Sequence, residues 1–115
     1  MKVPELLLNG IVIRSPTKHN DSELQAYCTL CPHEFCHVEY VVDSNLVVMD
    51  AGSPPDHPLL FCGCHFSVFN PLAGGKVISG PAERRMFRFE FETRSDMLYI
   101  TKVDEDVFKL LRGVL

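Results

Sequence analysis

Two short stretches of this 115-residue chain, "CPHEFC" at 31–36 and "CGCH" at 62–65, hold four of its five cysteines and two of its five histidines. Thiols and imidazoles concentrated in this way share a task. Any fold the chain adopts has to bring the two stretches together.

Reduced to possible ligands, the pattern is Cys31-x-His33, a gap of 28 residues, then Cys62-x-x-His65. Two sulfur and two nitrogen donors in matched pairs suit zinc or a two-iron cluster. An odd count of cysteines leaves one over in any all-disulfide scheme, and histidines mixed among them argue for metal ligation. A rival zinc arrangement would pair Cys28-x-x-Cys31 with Cys62-x-Cys64 and leave both histidines incidental. Its C-x-C half is poor spacing for a zinc ribbon. Cys28 otherwise reads as a buried strand thiol. His19, His37 and His57 stand in polar or loop contexts and read as surface residues.

The remaining sequence predicts one domain of short strands. A hydrophobic fraction of 46% suits a modest core for a chain of this length. The net charge of −4 comes without a basic stripe, which excludes a nucleic-acid surface. No apolar run reaches the roughly 18–20 residues that span a bilayer. Strand-like runs are "GIVIRS", "LQAYCTL", "HVEYVV", "NLVVMD", "LLFCG", "GKVIS", "MFRFEFE" and "MLYITKV". The last two form a hairpin in which Phe87, Phe89 and Phe91 share one core-facing side, Arg94-Ser95-Asp96 turn the chain, and Leu98 and Ile100 return. Residues 51–58, "AGSPPDHP", are a loop. "VDEDVFKLLRGVL" places Val107, Leu110, Leu111 and Val114 on one face of a short helix with acidic residues at its start.

The stretch "CPHEFC…CGCH" resembles the signature of Rieske [2Fe–2S] proteins, over about residues 28–83. It looks like the type with an additional cysteine pair. The continuation "HFSVFNPLAGGKVISGPA" is most similar to the small subunit of arsenite oxidases. The resemblance implies an all-β fold: an antiparallel β-sandwich with an inserted cluster-binding subdomain and a short C-terminal helix. Its base sheet would use residues of about 1–30 and 84–115, and the cluster-binding part about 31–83.

The resemblance also implies roles. Cys31 and Cys62 would bind one iron of a single [2Fe–2S] cluster as thiolates, and His33 and His65 the other as neutral imidazoles. Cys36 and Cys64 would form a disulfide joining the two loops. Two ferric ions, two sulfides and two thiolates sum to zero charge, so an electron is accepted more readily than by an all-cysteine cluster. The expected potential is accordingly high, within about −150 to +300 mV. Ser67 corresponds to a serine that donates to a bridging sulfide. Phe69 replaces the companion tyrosine, which should lower the potential by some tens of millivolts, on a scale of about 59 mV per tenfold one-electron shift. Gly80-Pro81 opens a loop that covers the cluster, with Glu83 where the family usually has a second proline. Departures are a longer segment between the ligand loops, "SNLVVMDAGSPPDHPLL", expected as an extra hairpin or flap, and a short amino-terminal side with no visible signal or anchor.

The expected function is one-electron transfer with no independent active site, as the small subunit of an arsenite oxidase-like enzyme. Its partners would be a molybdenum-containing large subunit and a cytochrome or copper protein. The alternatives are the Rieske subunit of a quinol-oxidising bc-type complex and a soluble ferredoxin of an oxygenase. A disulfide favours a periplasmic or other oxidising compartment over the cytoplasm.

Overall fold

A computed structural model describes residues 8–14, 24–33, 36–47, 49 and 52–112. Among these residues, eight strands fall into three antiparallel sheets. β1 (Gly10–Arg14) pairs with β2 (Leu24–Cys28), each with one face dominated by apolar side chains. β3 (Glu39–Val41), β4 (Leu59–Cys62), β5 (Ser67–Asn70) and β6 (Lys76–Ser79) form a four-stranded meander in chain order. β7 (Phe89–Arg94) and β8 (Met97–Val103) form the last hairpin, and α1 (Glu105–Arg112) follows it.

The meander separates two apolar layers because side chains alternate across a strand. On one face Leu60, Cys62 and Phe69 pack with Cys31 and Val38 and with Ile13 and Tyr27 of the first hairpin. Leu59 and Val68 point the other way and are covered by Val47, with Met49, Phe61 and Ile78 around them. A third core joins Cys28, Leu30 and Phe87 to Val107 of α1, with Leu110 packed against it. Burial of a valine such as Val107, which has no exposed surface, is worth about 1.5–3 kcal/mol. The helix therefore docks through Val107 and Leu110 of the face expected of it; Val114 and the Leu111 side chain lie outside what is described.

Several local expectations change. "NLVVMD" is not a strand in its described part: Ser44–Leu46 make one 3-10 turn. Asp43 caps this turn by accepting from the Asn45 N–H at 3.0 Å, and that local bond competes with sheet pairing. The segment after β3 thus forms a cover over the outer face of the meander. β5 was not anticipated, and β7 begins at Phe89. Upstream of it the Met86 N–H bonds to Gly75 and Arg88 forms an isolated bridge with Tyr27. In the last hairpin Phe87 is buried, Phe89 and Phe91 are half-buried, and Ile100 is 45% exposed. A bulge changes the register between Glu90 and Phe91, so β8 does not present a single clean face to the core.

Asp104 fixes the start of α1. One carboxylate oxygen accepts from the Asp106 N–H at 3.1 Å, and the other takes the Arg84 guanidinium at 2.8 Å. Arg84 also reaches Asp106 and lies over the Phe87 ring, 4.6 Å from its centroid. Burial alone would raise the Asp104 pKa, but the Asp106 N–H and the Arg84 charge outweigh it and hold the carboxyl below its usual range. A depressed carboxyl stabilises the fold above its unfolded-state pKa, and the contribution is lost as pH falls through the folded value. Asp104→Asn keeps the cap, since asparagine and aspartate cap about equally well, but removes the charge facing Arg84, so it should lower the melting temperature at neutral pH by the worth of a part-exposed ion pair, about 0.2–1 kcal/mol. The difference from wild type should vanish in acid, once the native carboxyl is protonated too. Thermal melts of both proteins across the acid range test this; a pH-independent difference would refute the ionic part.

Candidate metal centre

Both cysteine–histidine stretches are hairpin tips. The first lies between Leu30 and His37, which bridge across it, and is closed by the Cys31 N–H donating to the Cys36 carbonyl at 2.8 Å. Below it the Val38 N–H donates to Thr29 at 2.7 Å. The second tip connects β4 to β5, whose last pair is Cys62 with Ser67, and the Phe66 N–H closes it on the Cys62 carbonyl at 2.9 Å. Phe66 turns the chain with φ of 63°, a left-handed conformation that bulky residues adopt at a cost.

A Cys36–Cys64 disulfide spans the two tips, with the Cα atoms 6.3 Å apart. It brings the proposed ligands together in a graded way. Cys31 and Cys62 are each 1% exposed and belong to one core, whereas His33 is half-buried and His65 exposed. The two imidazoles meet edge to face, with ring centroids 5.0 Å apart. Sulfur donors thus sit inside and nitrogen donors outside.

The rival zinc arrangement fails here. Cys64 is oxidised, and Cys28 lies in the separate core under α1, where burial pushes its thiol pKa up. Among the described residues, the metal-sized group of ligand atoms is Cys36, Cys62 and Cys64, all within 4.8 Å of one another. Disulfide sulfurs are not thiolates, so this trio is no single-ion site as it stands. Two buried thiols and two outer imidazoles make up the mixed sulfur and nitrogen donor set that a two-iron cluster with histidine ligands would take. His37 is exposed near Thr29, and His57 is half-buried, donating from Nδ1 to the Pro58 carbonyl at 2.8 Å; neither joins the tips. His19 lies outside the described residues.

Ser67 is fully buried directly opposite Cys62, and its Oγ accepts from the Ala82 N–H at 3.2 Å. With that lone pair engaged, the hydroxyl proton remains available to another acceptor. Ala82 belongs to the loop Gly80–Ala82, which lies against the second tip. Gly80 has φ of 94°, and a Cβ there would stand 2.5 Å from both the Phe66 carbonyl oxygen and the Ser67 Cα. Only glycine allows that approach. Pro81 and Glu83 are exposed, while Phe69 is fully buried in the core shared with Cys31 and Cys62.

Tyr27 is a residue that sequence reasoning missed. It is completely buried in the same core, and its hydroxyl donates to the Pro71 carbonyl at 2.7 Å. Burial raises its pKa to about 12 despite the opposing charge of Arg88. The bond pins the β5–β6 turn beneath the ligand tips. A tyrosine in an ordinary strand run carries no sequence signal of this. A cleft of about 650 Å³ between β2, β7, β8 and the start of α1 is lined by charges of both signs, and none of the four candidate ligands borders it.

The Ser67–Ala82 bond and the Gly80 contact predict how the cover loop is held. Gly80→Ala should destabilise the protein by roughly 1–3 kcal/mol, the scale of a forced backbone conformation. Ser67→Ala leaves the Ala82 N–H without its partner, at about 1–3 kcal/mol. In both variants the Ala82 amide should lose hydrogen-exchange protection while that of Tyr27 is kept. Unchanged Ala82 protection in both would show that the loop is held by other contacts.

Comparison with known proteins agrees with this geometry. The model of the Rieske [2Fe–2S] domain family matches residues 8–95, which take in both tips and the cover loop. No curated protein sequence gives a significant match. The fold is similar to the soluble domain of Rieske protein II (soxF) from Sulfolobus acidocaldarius, with a TM-score of 0.53 and 24% identity. That match covers 76% of this chain and 44% of the other, so the chain spans less than half the length of that relative. Among the described residues no helix is long and apolar enough to cross a membrane. The chain belongs to the Rieske [2Fe–2S] domain family, iron–sulfur domains whose work is electron transfer.

Proposed function

We propose that Cys31 and Cys62 hold one iron of the [2Fe–2S] cluster and His33 and His65 the other. The observation that carries this is the sorting at the joined hairpin tips, with both thiols 1% exposed in one core and the imidazoles facing each other at 5.0 Å on the outer side. The bound cluster supplies a one-electron carrier. The protein residues do the rest. Cys31 and Cys62 lie among Leu60, Phe69, Val38 and Ala82, which exclude water from the sulfur side. His33 and His65 offer a short route to a partner, and the ring nitrogen of each that is not bound to metal can hold or release a proton at the surface. Ser67 has a proton to donate inward, and Gly80–Ala82 shields that side. Residues of about 31–83 are the cluster-binding part under this reading, and 1–30 with 84–115 the base.

The finer reading is a small subunit of an arsenite oxidase-like enzyme, receiving electrons from a molybdenum-containing subunit and passing them to a cytochrome or copper protein. Phe69 supports it over a quinol-oxidising subunit, because the buried ring has no hydroxyl to offer the cluster. The Cys36–Cys64 disulfide supports an oxidising compartment such as the periplasm.

The test is iron and acid-labile sulfide content with an EPR spectrum of the dithionite-reduced protein. Two irons per chain and a rhombic signal of low average g are expected. Replacing Cys31, His33, Cys62 or His65 by alanine should abolish both, whereas Cys28→Ala should keep them. Loss in Cys28→Ala with retention in either histidine variant would overturn the ligand assignment. Reduction by a quinol would favour the bc-type alternative.

A further inference from the structure

The Cys62 thiol shares a site with a disulfide. The sulfurs of Cys36, Cys62 and Cys64 all lie within 4.8 Å of one another, Cys36 and Cys64 are bonded, and Cys62 is free. Thiolate attack on a nearby disulfide is the ordinary route of disulfide isomerisation and needs no added oxidant. We infer that, whenever Cys62 is not ligating iron, it exchanges with the Cys36–Cys64 disulfide, so that the ligand loops carry their own redox lock. The inference rests on Cys62 being a cluster ligand.

The step balances within the chain. Cys62, as its thiolate, attacks the Cys36 sulfur; the Cys36–Cys62 bond forms as the Cys36–Cys64 bond breaks. Cys64 leaves as a thiolate and takes up the proton that Cys62 gave up. One disulfide and one thiol of the trio remain throughout. Attack at Cys36 is favoured because Cys62 and Cys64 are separated by Gly63 alone, and a bridge between them would close a very small ring. Burial separates the two states: Cys62 is 1% exposed, whereas Cys64 is exposed. Exchange therefore moves the free thiol from the core to the surface and removes a ligand. The product has no full ligand set until the exchange reverses. Cys31 and Cys28 are outside the trio.

The test starts from the cluster-loaded protein. One sample is alkylated directly with N-ethylmaleimide; another is stripped of iron with a chelator, held without reductant over minutes to hours, the usual span of uncatalysed exchange, and then alkylated. Peptide mapping follows under non-reducing conditions. In the loaded sample Cys62 should be unlabelled with Cys36–Cys64 intact, and labelling there would count against Cys62 as a ligand. In the stripped sample Cys64 should be labelled and a Cys36–Cys62 peptide present in more than about a tenth of chains, the level reached when the original disulfide is favoured by no more than about tenfold. A stripped sample with Cys62 labelled and Cys36–Cys64 untouched overturns the inference while leaving the ligand reading standing. Two further results would also overturn it. One is disulfides involving Cys28 or Cys31 at the same level, which would signal exchange in an unfolded chain. The other is Cys64 labelling that persists in Cys62→Ser.

Discussion

The Cys36–Cys64 disulfide is the bond on which the site depends. Each candidate ligand pair sits at the tip of a hairpin, and an isolated two-stranded hairpin is marginally stable in water. The bond closes a loop with a sequence separation of 28, a constraint on the unfolded chain of about 3–4 kcal/mol. Its position matters more than its magnitude. The sheet holds the bases of the two tips through Leu60, Phe69 and Tyr27, whereas at the ends His65 is exposed and His33 half-buried. The covalent link does at the tips what the core does beneath them.

Below the tips, packing and backbone geometry set the distances. The meander has to be thin at β5, because Ser67, Val68 and Phe69 are all fully buried and face two different cores. Val68 belongs to the layer closed by Val47, and Phe69 to the layer that holds Cys31 and Cys62. The segment between the ligand loops therefore supports the site from behind: it covers the face of the sheet opposite the thiols. Without Val47 and Met49 that face would be an exposed apolar surface next to two half-formed loops.

Much of this was legible in the residues. Cys31, His33, Cys62 and His65 stand at spacings that fit two loops and one centre, and the alternation of "RFEFE" and "MLYITKV" marks a hairpin. What stayed hidden has physical causes. β5 shows no alternation because both its faces are buried, so a period of two has no polar side to register. "NLVVMD" has the composition of a strand, yet Asp43 starts a turn by bonding two residues ahead, an effect that apolar content does not encode. Ile100 alternates correctly in sequence and is exposed because a bulge shifts the register beside it. Tyr27 and Ala82 act through hydrogen bonds to partners 44 and 15 residues away, contacts that only the folded chain defines.

One connection joins the site to the far end of the chain. Arg84 follows the cover loop directly, and its guanidinium is held by Asp104 and Asp106 at the start of α1 while it lies on Phe87. Asp104 serves both Arg84 and the helix cap, so the loop and the helix share a carboxylate. A helix of eight residues is too short to persist without tertiary packing. Its docking through Val107, and the Arg84 contact, therefore stand or fall together. The loop over Ser67 is anchored at one end by Gly80 against the second tip and at the other by this ion pair. The shield of the thiol side consequently depends on contacts in two different cores, one of which contains no candidate ligand.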